Sequence, residues 1–489
     1  MESSPAPPRR RPVRALLAVG SAVALAAVAL LPAQSASATP LLGGKTTTPK
    51  SYGCAPVKPG EIPCVGKPDI PKAPSASSTP TAPKAPAKPT HAAATPKKRV
   101  VGTKSVGTKR FGCADASAGE VSCLGEFAPR SVKTVNGKPV APRATGDPNS
   151  SGFTPKQLRA AYGLGKADAA GRTVAIVDAY DAPTAEKDLA AYRKAYGLPA
   201  CTTANGCFRK VNQNGKASPL PQGDYGWATE ISLDLDMVSA ACPSCHILLV
   251  ESNSADISSL ATAVDTAATT KGVVAVSNSY GAAEDPSELK YDKHYDHPGV
   301  AITASTGDDG YGVSWPASSP TVTAVGGTSL KSADNARGWA ETAWSGAGSG
   351  CSAQEKKPSW QQDGGCAKRS IADVSAVADP NTGVAVYDTY NSCGGGPVCD
   401  ALLSLGLAQG ADGWVKVGGT SASAPIIASV YALAGNTDSI DPSYPYRHAG
   451  ALHDVTSGNN GNCKNYLCTA RKGYDGPTGL GTPNGTGAF

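Results

Sequence analysis

The chain has 489 residues, a formal net charge of +6, abundant Gly and Pro, and few aromatic residues. This length is enough for one large domain with appendages, and the composition suits a loop-rich exported protein better than a helical bundle. The charge is uneven, because nearly half of the Lys and Arg residues precede residue 150 and the remainder carries more acid than base. We therefore expect no nucleic-acid partner.

The N-terminus has the pattern of an export signal. Four Arg residues between positions 9 and 14 precede an apolar run from Ala15 to Leu31, and Ala36 to Ala38 supplies the small residues typical of a cleavage site. We predict a signal peptide over residues 1–38, secretion to the extracellular space, and no membrane association after cleavage. A membrane anchor is the alternative, but the run is slightly short for a span and no similar run follows it.

Residues 39–150 are predicted to be a low-complexity, propeptide-like region. The stretch from Pro68 to Lys98 is rich in Pro, Ala, Thr and Lys, so it cannot bury enough apolar surface to fold and is predicted to be a disordered linker. A repeat flanks this linker. One copy reads Y-G-C-A from Tyr52 and continues through G-E-I to Cys64, and the other reads F-G-C-A from Phe111 and continues through G-E-V to Cys123. Each copy is expected to be a small loop closed by a disulfide, used for binding or processing.

The 14 cysteines fall into close neighbours along the chain. Short-range pairs in an exported protein indicate local disulfides. Cys242-Pro243-Ser244-Cys245 could instead be a redox or zinc motif, but no second C-x-x-C accompanies it, which favours a structural disulfide. The predicted pairs are Cys54/Cys64, Cys113/Cys123, Cys201/Cys207, Cys242/Cys245, Cys351/Cys366, Cys393/Cys399 and Cys463/Cys468.

Residues 151–489 alternate between strand-like and helix-like segments. Apolar runs separated by helices predict an α/β domain with a mostly parallel central sheet flanked by helices. The predicted strands are 173–177, 246–250, 273–277, 300–304 and 321–325, and the predicted helices are 184–196, 225–241, 257–269 and 421–434.

Two carboxylates lie one turn apart in the predicted helix 225–241. On a helical wheel, Glu230 and Asp234 fall inside the apolar arc, whereas Asp236 falls on the polar arc. The first two are therefore expected to point into the protein, and Asp236→Asn to be close to neutral. Two buried carboxylates so close must share a proton or find partners, and a sharing pair has one raised pKa and can act as a general base in acid. A solvated acidic face, or an ion pair with a distant Lys or Arg, is the alternative.

A Gly-rich stretch leads into the last predicted helix. Residues Val417 to Pro425 read V-G-G-T-S-A-S-A-P, and the glycines permit close approach of a substrate backbone. Ser421 is expected at the helix N-terminus, where backbone N–H groups and the helix dipole favour an oxyanion. Pro425 is expected to be tolerated because it would lie in the first turn. An ordinary Ser cap with small-residue packing is the alternative.

The G-T-S-A-S-A-P run resembles the G-T-S-x-S-x-P signature of the subtilisin-like clan, whose usual members combine the Ser with an Asp and a His. None of the six histidines lies in an H-G-T-type loop. The sequence is instead similar to the sedolisin family, the serine-carboxyl peptidases, in which a Glu and an Asp one turn later replace the His. Glu230 and Asp234 match that E-x-x-x-D element. The resemblance covers about residues 153–489 and implies a subtilisin-like domain.

The same resemblance implies a fourth residue. Ser305 to Gly310 reads S-T-G-D-D-G and is similar to the family's S-S-G-D-x-G loop, whose Asp helps to form the oxyanion hole. This assigns the role to Asp308, with Asp309 the neighbour most easily mistaken for it. A carboxyl group stabilises an oxyanion only when it is protonated, which favours acid conditions. A turn residue in a Gly-rich loop is the alternative for Asp308.

Two runs near the C-terminus resemble the two parts of the family's calcium site. They begin at His453 (H-D-V-T-S-G-N) and at Gly473 (G-Y-D-G-P-T-G-L-G). The resemblance implies one structural Ca²⁺ bound by two carboxylates and three backbone carbonyls, together with water. Arg471 stands where the family often has Gly, and a turn without metal is the alternative. The implied ligands are Asp454, Val455, Arg471, Gly473 and Asp475.

The resemblance implies a secreted, monomeric serine-type endopeptidase that cleaves proteins and peptides at acid pH. Ser421 would attack the carbonyl carbon, Glu230 would take its proton, Asp234 would orient Glu230, and Asp308 would stabilise the oxyanion. Family precursors usually carry a large folded pro-domain, which residues 39–150 do not resemble. The alternative function is a non-catalytic secreted binding protein on the same fold.

Overall fold

The computed structural model describes residues 101–106, 108–128, 130–135, 138–139, 148–404, 408–436 and 440–489. The predicted signal peptide, the linker 68–98 and the first repeat with its Cys54/Cys64 pair lie outside these residues. All described residues belong to one compact unit, Ala94–Phe489.

The strands of the described residues are, in chain order, β1 (Val101–Val106), β2 (Lys109–Arg110), β3 (Ser122–Cys123), β4 (Glu126–Phe127), β5 (Arg130–Val135), β6 (Lys138–Pro139), β7 (Thr173–Ala179), β8 (Phe208–Asn212), β9 (His246–Ser252), β10 (Val273–Asn278), β11 (Tyr280–Ala283), β12 (Ala301–Ser305), β13 (Ser314–Trp315), β14 (Thr323–Ser332), β15 (Trp339–Ala343), β16 (Gly350–Lys356), β17 (Lys368–Ile371), β18 (Val374–Val377), β19 (Val384–Asp388), β20 (Gly413–Gly418), β21 (Leu452–His453) and β22 (Thr482–Pro483). The helices are α1 (Pro155–Ala161), α2 (Ala185–Ala195), α3 (Tyr225–Ala241), α4 (Ile257–Thr269), α5 (Pro397–Ser404), α6 (Thr420–Ala434) and α7 (Tyr444–Arg447). Short 3₁₀ helices cover Pro148–Ser150, Glu288–Lys290, Asp292–Tyr295, Pro380–Thr382 and Ala449–Ala451.

The central sheet confirms the predicted α/β fold. Within the described residues it has eight strands in the order β15-β14-β12-β10-β7-β9-β8, with β18 also beside β14. Neighbouring strands run parallel, except that β15 is antiparallel to β14. The inner strands are buried along their length, which is why they read as continuous apolar runs. Each element predicted for this domain starts within two residues of its predicted position.

Helices cover both faces of the sheet. α3 and α6 pack against each other and cover one face, with α2 packed on α3, whereas α4 packs on β7, β9 and β10 from the other face. Asp224 caps α3, since its Oδ1 accepts hydrogen bonds from the backbone N–H groups of Gly226 and Trp227. Among the described residues, no helix combines the length and apolar character needed to cross a membrane.

The prediction that one side of α3 faces solvent is wrong, because every residue from Gly226 to Ala241 is buried. Asp236 does lie apart from Glu230 and Asp234, but it packs under β19, where its Oδ2 accepts a 2.8 Å hydrogen bond from the backbone N–H of Tyr387. The small sheet of β19, β20, β4 and β2 supplies this cover. A helical wheel separates the two faces, but only the tertiary structure determines what covers each of them.

The position expected for Pro425 is also wrong. Helix α6 begins at Thr420, so Pro425 lies beyond the first turn and cannot donate to the carbonyl oxygen of Ser421 four residues earlier. That oxygen instead lies 3.3 Å from the hydroxyl oxygen of Ser279. Because Pro425 has no N–H, the carbonyl oxygen of Ser421 is left without its usual helical partner and can contact Ser279, directly after β10.

Six of the seven predicted disulfides lie in the described residues, and all six are present. Cys242–Cys245 is a disulfide, as expected for a structural pair. The second repeat, closed by Cys113–Cys123, is not an appendage to the domain. Its Phe111, Val121 and Cys123 belong to the main hydrophobic core.

Candidate active site

Helices α3 and α6 bring Glu230, Asp234 and Ser421 together above the end of strand β10. The hydroxyl of Ser279, the first residue after β10, donates to the Asp234 carboxylate, with both oxygens at 2.8 Å. The Ser421 hydroxyl donates to the carbonyl oxygen of Ser279 at 3.4 Å. Ser279 thus links the two helices at the site. Sequence analysis missed it, although its place directly after a buried strand was the available signal.

Glu230 is fully buried and its pKa is well above the ordinary value. Burial is the largest cause, and the negative charge of Asp234 adds to it, whereas the Ser421 hydroxyl and the backbone N–H of Gly125 act in the opposite direction. Within the described residues, neither oxygen of Glu230 makes a hydrogen bond of ordinary length and angle. Glu230 therefore lies beside the Ser421 hydroxyl with its hydrogen-bonding capacity largely unused.

Asp178, at the end of β7, is a third carboxyl in this cluster. It is fully buried, and both of its oxygens are without a hydrogen-bond partner among the described residues. Burial raises its pKa well above normal, and the charges of Asp234 and Glu230 raise it further. Burial likewise raises the pKa of Asp234. Three carboxyls so placed cannot all be ionised, so the cluster retains protons well above the pH at which isolated carboxyls lose them.

Asp308 lies in the loop after β12 and faces the start of α6. Its Oδ1 accepts hydrogen bonds from the backbone N–H and the hydroxyl of Thr420, both at 2.7 Å. Its Oδ2 is buried and has no partner among the described residues. Burial raises the pKa of Asp308 to about 8, so the group is protonated in neutral and acid solution. Asp309 is unsuited to the same role, because its side chain is 82% exposed and pairs with Arg110.

Gly419, the residue before α6, leaves room for a carbonyl group. Its φ is +101°, in the region that favours glycine, and an added Cβ would lie 2.1 Å from the carbonyl oxygen of Leu124 and 2.5 Å from Asp308 Oδ2. A side chain at position 419 would therefore close the space between Asp308 and the start of α6.

The candidate calcium ligands gather separately, in loops near the C-terminus. Asp454 Oδ2 accepts a hydrogen bond from the backbone N–H of Gly473, and Asp475 Oδ2 accepts one from that of Arg471, both at 2.9 Å. Asp475 is buried, as is Val455. Burial raises the pKa of Asp475 to about 7, and the charge of Asp454 adds to that rise. The Arg471 side chain turns away to lie over the ring of Tyr466.

Two carboxylates thus converge on the loop 471–473 and repel each other. In the described part of the chain, no three His, Cys, Asp or Glu side chains cluster as a metal site. A cation here would therefore be bound by the two carboxylates and by backbone carbonyl oxygens, a donor set that fits Ca²⁺ and not a soft transition metal.

No protein-family model matches the chain. Sedolisin from Pseudomonas sp. (strain 101) is 26% identical over 376 residues, which are 68% of this chain and 60% of sedolisin. Kumamolisin from Bacillus sp. (strain MN-32) is 29% identical over 378 residues, 68% of this chain and 62% of kumamolisin. The chain thus spans about 60% of the length of these curated relatives.

The fold agrees with these sequence matches. Pseudomonas sedolisin, solved as a serine-carboxyl proteinase in complex with two molecules of pseudo-iodotyrostatin, superposes with a TM-score of 0.56 at 26% identity, covering 68% of this chain and 96% of that structure. Both relatives and the solved structure point to one family, so the comparisons support membership of the sedolisin family.

Proposed function

We propose that this protein is a secreted, monomeric serine-type endopeptidase that hydrolyses peptide bonds in proteins at acid pH. One observation carries the proposal. The hydroxyl of Ser421, at the N-terminus of α6, lies beside the buried carboxyl of Glu230, and that carboxyl is otherwise almost without partners. A carboxylate in that environment is a stronger base than an ordinary one, because its pKa is raised.

In the proposed reaction, Ser421 Oγ attacks the carbonyl carbon of the peptide bond and Glu230 takes its proton. The C–N bond then breaks as Glu230 returns that proton to the leaving amine. Water, activated by the same carboxylate, hydrolyses the acyl-enzyme and regenerates the Ser421 hydroxyl. Asp234 stabilises the protonated state of Glu230 by sharing the protons of the cluster, and the hydroxyl of Ser279 holds Asp234 in place.

The negative charge that develops on the carbonyl oxygen would be stabilised by two donors. Protonated Asp308 has Oδ2 available, since Oδ1 is already bonded to Thr420. The backbone N–H of Ser421, in the first turn of α6, is the second donor. A neutral Asp308 is needed, which restricts the reaction to pH values below about 8, where that group stays protonated.

A structural Ca²⁺ is also part of the proposal. Asp454 and Asp475 would provide the charged ligands, and the carbonyls of Val455, Arg471 and Gly473 the neutral ones, with water. The support is the convergence of both carboxylates on the loop 471–473 and the raised pKa of Asp475, since a cation would relieve the repulsion between the two groups. The ion would stabilise this end of the domain and take no part in the reaction.

Cleavage of casein between about pH 3 and pH 8 tests the function. Wild-type protein should cleave casein with an optimum near pH 3 to 5 and Ser421→Ala should not, while both give the same circular dichroism spectrum. A peak above about pH 7 would refute the proposed acid optimum. Wild-type protein that is folded and inactive at every pH would favour the alternative, a non-catalytic binding protein.

A further inference from the structure

Four carboxyl groups gather at the far end of β11, the strand that begins directly after Ser279. Glu284 follows β11 directly. Glu288 and Asp292 lie on the two short 3₁₀ helices that come next, and Glu355 lies on β16. The last three each have a pKa that is shifted by another member of the group, so the four side chains face one another. We call these four residues the acidic cluster, and none of them takes part in the proposed reaction.

Two oxygens of the acidic cluster are buried without a partner. Glu288 is 2% exposed, Glu355 is 3% exposed, and the Oε1 atom of each has no hydrogen-bond partner among the described residues. The other oxygen of Glu288 accepts a 2.8 Å hydrogen bond from the backbone N–H of Asp285. A buried oxygen without a donor is costly when the carboxyl group is charged and much less so when it is neutral. The fold therefore favours the protonated form at both positions.

No cation compensates the acidic cluster. In the described part of the chain, no Lys, Arg or His side chain lies within salt-bridge distance of any of its four carboxyls. His294, on the same 3₁₀ helix as Asp292, pairs instead with Asp265 of α4. Lys290 and Asp285, the nearest other charges along the chain, are exposed. Repulsion between the four carboxyls is therefore relieved only by protons.

The pKa values within the acidic cluster agree with this environment. Burial raises the pKa of Glu288 to about 8, and the negative charges of Glu284 and Asp292 add to the rise. Burial raises the pKa of Glu355 to about 8 as well, again with a contribution from Asp292, and it also raises the pKa of Asp292. The cluster thus holds protons throughout the acid range and loses them around neutral pH.

The acidic cluster joins the end of β11 to two neighbouring strands. Glu284 accepts hydrogen bonds from the hydroxyl of Ser352 and from the backbone N–H of Ala353, both on β16. Asp292 Oδ1 accepts a 3.2 Å hydrogen bond from the indole N–H of Trp315, on β13. β13 pairs antiparallel with β11, and β11 lines a cavity of about 270 Å³ together with the loop after β12. Loosening the cluster would therefore loosen one wall of the catalytic cleft.

We propose that the acidic cluster is a pH-dependent latch on the cleft. In acid, its neutral carboxyl groups hold residues 284–295 against β13 and β16 and so fix the β11 wall. Near neutral pH the cluster loses its protons, the carboxylates repel one another, and residues 284–295 are released. The proposal goes beyond the proposed function and does not rest on it, because the latch acts on the fold and touches no substrate.

The direction of the pH effect follows from the raised pKa values. A group whose pKa is higher in the folded than in the unfolded chain stabilises the fold in acid, and that contribution is lost as the pH rises from the ordinary value of 4.5 toward about 8. Residues 284–295 should therefore stay closed at about pH 4 to 6 and open above about pH 7. Ionisation of Asp308 falls in the same range but changes a single donor and opens no segment, so a structural measurement separates the two.

Trypsin cleavage tests the release without any activity of the protein itself. The side chains of Lys290 and Lys293 are exposed, but the 3₁₀ helices must open before trypsin can cut after them. Full-length Ser421→Ala, with calcium in excess, is compared with the same protein carrying Glu288→Gln and Glu355→Gln, since Gln has the same size but cannot ionise. Cleavage at the two lysines is followed by mass spectrometry at about pH 6 and about pH 8.5. A free peptide of residues 284–295 corrects for the pH dependence of trypsin.

Corrected cleavage of Ser421→Ala should rise about tenfold or more between the two pH values, because cleavage follows the population of the open segment. With the two Gln substitutions it should rise less than about twofold. Glu251→Gln is the matched control in the same background, since burial also raises the pKa of Glu251 to about 8 but this residue pairs with Lys210 on β8. It should behave as Ser421→Ala does. An equal rise with and without the two Gln substitutions, or no rise in either protein, would overturn the latch.

A stability measurement keeps the latch testable if the double substitution does not fold, as judged by circular dichroism. In that case Glu355→Gln alone is introduced into Ser421→Ala. The melting temperature of Ser421→Ala should fall more steeply between about pH 5 and about pH 8 than that of the protein with Glu355→Gln. Parallel falls in the two proteins would overturn the latch. Because every protein in these experiments lacks the Ser421 hydroxyl, failure of the peptidase assignment would leave the latch tested, and failure of the latch would leave the peptidase assignment standing.

Discussion

Two regions of the domain bury carboxyl groups, but only one of them provides those groups with hydrogen bonds. Near the C-terminus, Asp475 is buried but accepts three hydrogen bonds, from the backbone N–H of Arg471 and from the backbone N–H and hydroxyl of Thr478. Around Ser421, Glu230 and Asp178 are buried with no hydrogen bond of ordinary geometry to any described residue.

The difference agrees with the two roles proposed for these regions. An unpaired buried polar group costs stability, about 1–3 kcal/mol or more when it is charged, so it persists where the structure uses it for something else. The bonded carboxylate of Asp475 is fixed in one orientation, which suits a ligand for a structural ion. The unbonded carboxyl of Glu230 beside Ser421 has its oxygens unused by the fold, which suits the proposed transfer of a proton.

The largest expected effect comes from removing the base. Glu230→Gln keeps the size and polarity of the side chain but cannot take a proton, so kcat/KM for casein should fall by about 10³-fold or more. Ser421→Ala should lose as much. The Glu230 side chain makes no ordinary hydrogen bond in the folded state, and Gln has nearly the same size. The melting temperature of Glu230→Gln should therefore not fall. Activity within tenfold of wild type in Glu230→Gln would contradict the proposed base.

Asp308 gives the next largest effect and a distinctive pH dependence. The pKa of this group is raised to about 8, so its neutral donor form is present below that pH and is lost above it. Asp308→Ala should lower kcat by about 10²–10³-fold. Asp308→Asn can still accept from Thr420 and can donate at any pH, so it should retain most activity below pH 7 and lose less than wild type above pH 8. A steeper alkaline loss in Asp308→Asn than in wild type would exclude the donor role.

Much of this site follows from local sequence. Helix α3 has the predicted bounds. The inward orientation of Glu230 and Asp234 was predicted from the helical periodicity of this segment alone, without knowledge of the elements that pack against it. Asp178 was missed because its importance depends on β7 lying between β10 and β9, an order set by contacts far apart in sequence. The segment at Leu124 was interpreted as part of an appendage for the same reason. Its two strands, β3 and β4, have two residues each, too few for any periodic pattern.

Calcium removal should affect the other region alone. A ligand that binds only the folded state stabilises it by about 2.7 kcal/mol at a hundredfold excess over Kd. Excess chelator at about pH 6 should therefore lower the melting temperature of wild type. In Asp475→Ala, chelator should have little effect, and that variant should already melt lower than wild type. Ser421→Ala is the matched control and should respond to chelator as wild type does. No change in wild type, with no calcium detected in the purified protein, would refute the ion and leave the peptidase assignment intact.

Asp236→Asn should have the smallest effect, and it tests whether burial alone makes a carboxyl on α3 catalytic. Asp236 is as buried as Asp234 and its pKa is also well above normal, mainly because of burial, but its Oδ2 is bonded to the backbone N–H of Tyr387. Asn keeps that acceptor, so casein cleavage should match wild type, whereas Asp234→Asn should be impaired.

Stability should separate the two residues in the same way. A raised pKa means that the folded state holds the Asp236 proton after the unfolded chain has lost its own, so the contribution of Asp236 to stability declines as pH rises above about 4. The Asn variant does not titrate and escapes this decline. Urea unfolding should therefore give nearly equal stabilities at pH 4 and a relative gain for Asp236→Asn at pH 7. Asp236→Ala leaves the Tyr387 N–H unpaired and should lose about 1–3 kcal/mol at both pH values. An inactive Asp236→Asn with normal stability would place Asp236 in the reaction, and the distinction between bonded and unbonded carboxyls would fail on this helix.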